Sequence, residues 1–231
     1  MKFFETSKYF QLNKPTYINL RWIAIIGQLF TINLVAFFFK LDFSFILCNF
    51  IILIGIFLNF YLMYFYKENY LTNKFSFFFL NIDIFQLSFL IYLTGGITNP
   101  FIVFIIIPCI FSSTNLDIKA NLLLVFITIL SIVFLTFFHK NLPGDLSAHF
   151  HVSDYYYYSV PLALSVALVF LNYFGLKFGS EAKIRKEALN KMEEMIAKEH
   201  ELLSLGGQAA AAAHSLGTPF STIKIISQDL L

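Results

Sequence analysis

The sequence predicts an all-α membrane protein. Six transmembrane helices should be followed by a charged helical stalk and one further helix. Three observations carry this reading. Of the 231 residues, 58% are hydrophobic and only 13% are charged, and the 31 Phe and 12 Tyr exceed what a soluble core uses. Several apolar stretches approach or exceed the roughly 20 residues a helix needs to cross hydrocarbon, and none alternates like a strand. After Phe178 the composition turns abruptly to charged helix formers.

The chain opens with "MKFFETSKYFQLNKPTYINLRW", which is polar and basic. It has no short apolar core followed by a small-residue cleavage site, so no cleaved signal peptide is expected and the first span acts as its own insertion signal. The membrane part covers residues 1–178. Its apolar segments are Trp22–Phe39, Phe43–Tyr66, Phe75–Thr94, Phe101–Thr114, Ala120–Phe138 and Tyr155–Phe178. The fourth is the shortest. If the N-terminus is cytoplasmic, fourteen of the 16 Lys and Arg lie inside, Arg21 among them, and only Lys40 and Lys140 lie outside. That asymmetry, with an even number of spans, predicts two cytoplasmic termini. Tyr155–Tyr158 then sits at the outer interface, which favours amphipathic rings.

Polar residues inside the spans are Gln28, Asn33, Asn49, Asn59, Asn81, Asp83 and Gln86. The amides are expected to bond between helices. Asp83 is the one acid within a span. It reads either as a functional group on a membrane pathway or as a carboxylate near the cytoplasmic helix end bonded to a neighbour. Between the third and fourth spans lies "TGGITNPF". Gly95 and Gly96 permit backbone angles other residues resist, and Pro100 holds Asn99 extended. The stretch reads as a tight external turn or as a shallow pocket. In the second case Thr94, Thr98, Asn99 and backbone N–H groups would bond a carbonyl, and Phe101 would offer a ring for stacking. The loop 140–154 holds His149 and His151 with Asp145 and Asp154 nearby, and is expected to be solvated rather than metal-binding. Cys48 and Cys109 lie in apolar stretches, so neither a disulfide nor a cysteine metal site is expected.

The stalk, residues 179–205, repeats apolar columns at seven: Ala188, Met195, Leu202 beside Leu189, Ile196, Leu203, with Met192 on the same face. Three heptads suit a short parallel coiled coil or a two-helix signalling stalk, and so a homodimer; a single solvated helix would leave the apolar stripe without a partner. Residues 206–231 continue through "AAAAAHSLGTPFSTI". The alanine run puts His214 on a helix face. Pro219 removes one backbone bond and is expected to bend the helix near Ser215–Leu216. Apolar spacing resumes at Phe220, Ile223, Ile226 and Leu230, as on one strand of a bundle.

"AHSLGTPFSTI" resembles the phosphoacceptor box of sensor histidine kinases, His-Glu-Leu-x-Thr-Pro-Leu. The alanine run and Gly217 resemble the RegB/PrrB/ActS group of redox-sensing kinases. That group has six transmembrane helices and a Gly-Gly-x-x-Asn-Pro-Phe motif between spans three and four, and "GGITNPF" stands in that place here. The resemblance covers essentially the whole chain. It implies a bacterial inner-membrane kinase of a two-component phosphorelay, with residues 206–231 starting the dimerisation and phosphoacceptor bundle. His214 would be the phosphoacceptor, with Ser215 and Thr218 beside it. An imidazole exposed on a helix suits the role, since its near-neutral pKa makes it both nucleophile and leaving group. ATP would be bound by a domain absent from this chain. Ubiquinone would be the sensed ligand, held by Gly95, Gly96, Thr98, Asn99, Pro100 and Phe101. A cytoplasmic response regulator and membrane lipid would be partners, and nucleic acid would not.

Two departures stand out. Ser215 replaces the acid that usually follows the histidine, and a serine hydroxyl is a poor base at neutral pH. The chain also stops at Leu231, inside the first bundle helix and before the family's redox-active cysteine, so alone it is expected not to phosphorylate itself. Two other classes fit parts of the sequence. A small transporter or channel would use Asp83 and the intramembrane amides. A kinase-dead dimeric receptor would only bind quinone.

Overall fold

A computed structural model describes residues 12–142 and 153–229. His149, His151 and Asp145 lie outside the described residues. The chain divides into two compact units between Ser180 and Glu181.

The first unit is built from apolar helices. Helix α1 spans Lys14–Phe37, α2 Phe45–Tyr64 and α3 Asn73–Leu93. A single 3-10 turn, Gly96–Thr98, leads to a second 3-10 stretch, Pro100–Ile106, which runs into α4, Ile107–Asn115. Helix α5 is Ile118–Phe137, and α6 is Asp154–Asp229, which continues into the second unit. Two two-residue strands, β1 Leu12–Asn13 and β2 Tyr70–Leu71, pair antiparallel.

Among the described residues five helices are long and apolar enough to cross a membrane: α1, α2, α3, α5 and the start of α6. The fourth apolar segment, Pro100–Asn115, is shorter. Its seven 3-10 residues and nine α residues rise about 2.0 and 1.5 Å each, giving roughly 27 Å. That approaches the roughly 30 Å hydrocarbon thickness. The stretched start thus recovers length that a pure α-helix would lack. The all-α membrane fold read from composition is the fold observed.

Local chemistry sets the helix ends. Asn13 caps α1, its Oδ1 accepting from the Thr16 amide at 3.2 Å, and Pro15 follows in the first turn. Helix α1 therefore starts eight residues before Trp22, and Arg21 belongs to the helix, not to a loop. Lys14 Nζ donates to the carbonyls of Met63, at 3.2 Å, and Tyr66. Asp117 caps α5 and accepts from Asn73 Nδ2. These bonds gather the N-terminal side of α1 and the α2–α3 and α4–α5 connections at one end. At the other end the Lys140 amide donates to Tyr92 O at 2.9 Å, and Lys140 Nζ to Ser44 Oγ at 3.1 Å. Consecutive helices run in alternating directions, as a polytopic bundle requires.

The intramembrane amides divide. Gln86 Nε2 donates to Gln28 Oε1 across helices at 3.3 Å, and Asn59 Nδ2 to Ile18 O at 3.4 Å. Asn33, Asn49 and Asn81 instead donate to the carbonyl four residues back on their own helix. The expectation of interhelical bonds fails for these three, because an Asn side chain is short enough to close on its own backbone. The larger interhelical amide network involves Asn121 and Asn172. Each donates to the other at 2.9 and 3.0 Å, Asn172 also reaches Cys109 O, and Ser112 Oγ donates to Asn121 Oδ1. It joins α4, α5 and α6 at a site with almost no solvent access. Cys48 and Cys109 are both free and buried.

In the second unit, Leu189, Met192, Met195, Ile196, Leu202 and Leu203 are all exposed along α6. Glu194 and Lys198 pair at 2.8 Å.

Asn172→Leu should destabilise the protein in lipid or mild detergent by about 1–2 kcal/mol, because it strands the Asn121 amide in an apolar setting. Thermal unfolding followed by circular dichroism will read this as a lower Tm. An unchanged Tm would show that the network carries no stability.

Candidate functional site

The turn after α3 is locked by its own residues. Gly95 has φ 118° and Gly96 φ 57°, both left-handed. A Cβ on Gly96 would lie 2.3 Å from His139 Cβ, and one on Gly95 would lie 2.6 Å from Leu142 Cδ2. The two glycines therefore serve both chain reversal and close approach of the segment after α5. Thr98 Oγ1 donates to Gly95 O at 2.6 Å. Asn99 Nδ2 donates to Thr94 O at 3.0 Å and to Thr94 Oγ1 at 2.6 Å, while its Oδ1 accepts from the Phe101 amide at 2.9 Å. Asn99 is thus the N-cap of the 3-10 stretch, with Pro100 at the first position. Phe101 remains partly exposed and stacks on Phe104 at 5.9 Å.

Beside this turn runs a cleft of about 1060 Å³ between α1, α3 and the Asn99–Thr114 segment. Thr94, Asn99, Pro100 and Phe101 line one end, while Gly95, Gly96 and Thr98 do not line it and pack elsewhere. Gln28 and Gln86 line its middle. Gly55 on α2 makes room for Gln86, since a Cβ there would fall 2.5 Å from Gln86 Nε2.

The far end of the cleft holds Tyr17, Arg21 and Asp83. Arg21 Nε pairs with Asp83 Oδ1 at 3.0 Å, with side-chain exposures of 5% and 18%. Tyr17 OH donates to Asp83 Oδ2 at 2.5 Å. The guanidinium carbon lies 5.6 Å from the Tyr17 ring centre and 5.8 Å from that of Phe79. Nη1 and Nη2 are buried and have no hydrogen-bond partner among the described residues. Asp83 is bonded to its neighbours, as one reading expected, but it stands at the middle of α3 (Asn73–Leu93) and not near a helix end. Its partners were missed in the sequence. Tyr17 and Arg21 lie four apart, on one helix face, and an intramembrane acid calls for a cation; together these were the available signal.

The tail residues sit on α6. His214 and Ser215 are exposed, and Ser215 Oγ donates to Ala212 O at 2.9 Å. Its hydroxyl is thus turned to the preceding backbone. Thr218 and Pro219 lie within the same helix, which runs on to Asp229, and Ser221 Oγ donates to Gly217 O at 2.8 Å. Among the described residues no group of three His, Cys, Asp or Glu could hold a metal ion.

The described residues form an all-α membrane-type bundle, and the last helix bears a His-x-x-x-Thr-Pro box. Comparison with known proteins makes the relationship specific. The chain is 32% identical over 216 residues to the sensor histidine kinase RegB of Cereibacter sphaeroides, a match covering 93% of this chain and 47% of that relative. A second RegB sequence from the same species is 32% identical over 99 residues, covering 43% of this chain and 21% of its own length. The chain spans about half the length of the first relative and is RegB-like along nearly all of its own residues. No family model and no solved structure matches it.

Gly96→Ala should lower the Tm by several degrees. It forces a left-handed angle, worth roughly 1 kcal/mol or more, and drives a methyl into His139. Thermal unfolding of the purified chain checks this. A Tm equal to wild type would mean that the segment after α5 gives way freely.

Proposed function

We propose that this chain is the membrane sensor, stalk and leading phosphoacceptor segment of a two-component histidine kinase. The observation that supports it best is the 32% identity to RegB along 93% of the chain. In this reading the basic end of the bundle faces the cytoplasm, the exposed apolar columns of the stalk meet those of a second copy, and a response regulator docks beside His214. The membrane is the bacterial inner membrane.

His214 is the phosphoacceptor. A ring nitrogen attacks the γ-phosphorus of ATP delivered by a nucleotide-binding domain. The N–P bond forms, the bond to the β-phosphate oxygen breaks, ADP leaves and the ring proton passes to solvent. The phosphoryl group then moves to an aspartate of the regulator. Ser215, engaged with Ala212 O, does not serve as the base, and Thr218 follows one turn later. The signal is the state of the membrane quinone pool. A quinone enters the cleft from lipid, and its isoprenoid tail lies against the apolar walls of α1 and the Pro100–Ile107 segment. Pro100 and Phe101 supply the outer wall, and Gly95, Gly96, Thr98 and Asn99 fix their position. Occupancy shifts a two-state arrangement of spans and stalk.

Fusion of the chain to the catalytic half of a RegB relative, followed by radiolabelled ATP, tests the kinase reading. Wild type should take up label at His214, and His214→Gln should abolish it. Ser215→Glu should raise the rate, since a positioned base contributes up to roughly 10²–10⁴-fold. Label persisting in His214→Gln would contradict the assignment.

A further inference from the structure

The two ends of the membrane unit differ in charge. One end gathers the start of α1 with the α2–α3 and α4–α5 connections. Among the described residues it carries Lys14, Lys67, Lys74, Lys119 and Lys177 against only Glu68 and Asp117. Lys177 belongs to this end because Gly179, two residues on, packs against Thr114 near the end of α4, where a Cβ would lie 3.2 Å from Thr114 Cγ2. At the opposite end Lys40 and Lys140 stand with Asp42 and Asp154, and the charges of the described residues balance.

Both acids of the basic end are engaged locally. Asp117 caps α5 and accepts from Asn73, and Glu68 accepts from the Tyr66 hydroxyl at 3.4 Å. Lys14 is spent on the carbonyls of Met63 and Tyr66. Lys67, Lys74, Lys119 and Lys177 are exposed, and among the described residues none of the four has an ion-pair partner. The Asn73–Asp117 bonds tie the first turns of α3 and α5, so Lys74 and Lys119 stand on adjoining helix starts. Like charges along one rim repel, and an outside counter-charge offsets that cost.

The surroundings of these lysines select the counter-charge. Phe75 and Phe78 follow Lys74, Leu122 and Leu123 follow Lys119, and Phe174 and Phe178 flank Lys177; all six are exposed. A soluble polyanion would meet the ammonium groups and leave these apolar side chains against water. A phospholipid offers both partners at once, a phosphate at the level of the lysine and acyl chains along the apolar surface beside it. A zwitterionic head group carries its own cation, so an anionic one relieves the repulsion better. Lysine, a compact charge on a flexible stem, suits a phosphodiester that diffuses in the membrane plane.

We propose that Lys67, Lys74, Lys119 and Lys177 form a basic collar that recruits anionic phospholipids and holds their phosphate groups at this rim of the bundle. The collar goes beyond the kinase and quinone readings and does not rest on them.

The test titrates the full chain in mild detergent with phosphatidylglycerol and phosphatidylcholine of matched acyl chains, and native mass spectrometry reads the lipid retained. Wild type should favour phosphatidylglycerol by about fivefold or more, the attraction that one lysine supplies at a membrane surface. The variant Lys67→Gln, Lys74→Gln, Lys119→Gln, Lys177→Gln should lose that preference, and Lys40→Gln with Lys140→Gln should keep it. High salt should reduce it in wild type. Should the four-site variant fail to fold by circular dichroism, Lys74→Gln with Lys119→Gln replaces it and should lower the preference in the same direction. No preference in wild type, an equal preference in wild type and collar variant, or an equal loss in the Lys40–Lys140 variant would overturn the proposal. Displacement of the lipid by millimolar glycerol phosphate would also overturn it, by making a free phosphate the occupant.

Discussion

One buried ion pair joins α1 to α3 within the membrane bundle. Arg21 and Asp83 are both charged groups at positions where charge is expensive. Neither is tolerable in the bundle without the other, so α1 and α3 are fixed in one register and one rotation. Tyr17, one turn before Arg21, adds a hydroxyl to the second carboxylate oxygen. The register that results brings Gln28 opposite Gln86 and leaves the cleft between α1, α3 and the fourth segment. The pair also divides the roles within the guanidinium: Nε is consumed, and the terminal nitrogens remain.

The far end of the cleft is held by a different device. There the chain uses backbone angles rather than charge. Two left-handed glycines, a capping asparagine and a proline turn α3 into the stretched 3-10 start of the fourth segment. His139 and Leu142 close over the glycines. The motif that looks like a ligand loop in sequence is, in structure, a rigid corner that sets where Pro100 and Phe101 stand. A rigid corner and a register-fixing ion pair give the cleft two anchored ends.

The fold was largely legible in the sequence because long apolar runs admit few alternatives. The starts of α2, α3 and α5 fall within two residues of the read segments. The start of α1 did not, because Arg21 looked like a loop charge at the edge of an apolar run. Its true setting depends on Asp83, whose other partner, Tyr17, is 66 residues away in the chain, and no local period reports such a pairing. The Asn33, Asn49 and Asn81 amides were also illegible, since a bond to the same helix and a bond to the next leave the same composition. At the turn after α3, spacing could not say that Asn99 spends its amide on Thr94. The helix around His214 was legible from the alanine run before it.

The central claim is that Arg21 and Asp83 act as one unit that fixes the bundle. A double-mutant cycle measures it directly, using reversible thermal unfolding of wild type, Arg21→Met, Asp83→Asn and the double variant in the same nanodiscs. Each single change leaves a buried group without its partner and should cost about 3–5 kcal/mol. The double variant should recover much of that loss, giving a coupling energy of about 2 kcal/mol or more. Single losses that simply add in the double variant would contradict the account, because the two side chains would then stabilise the bundle independently.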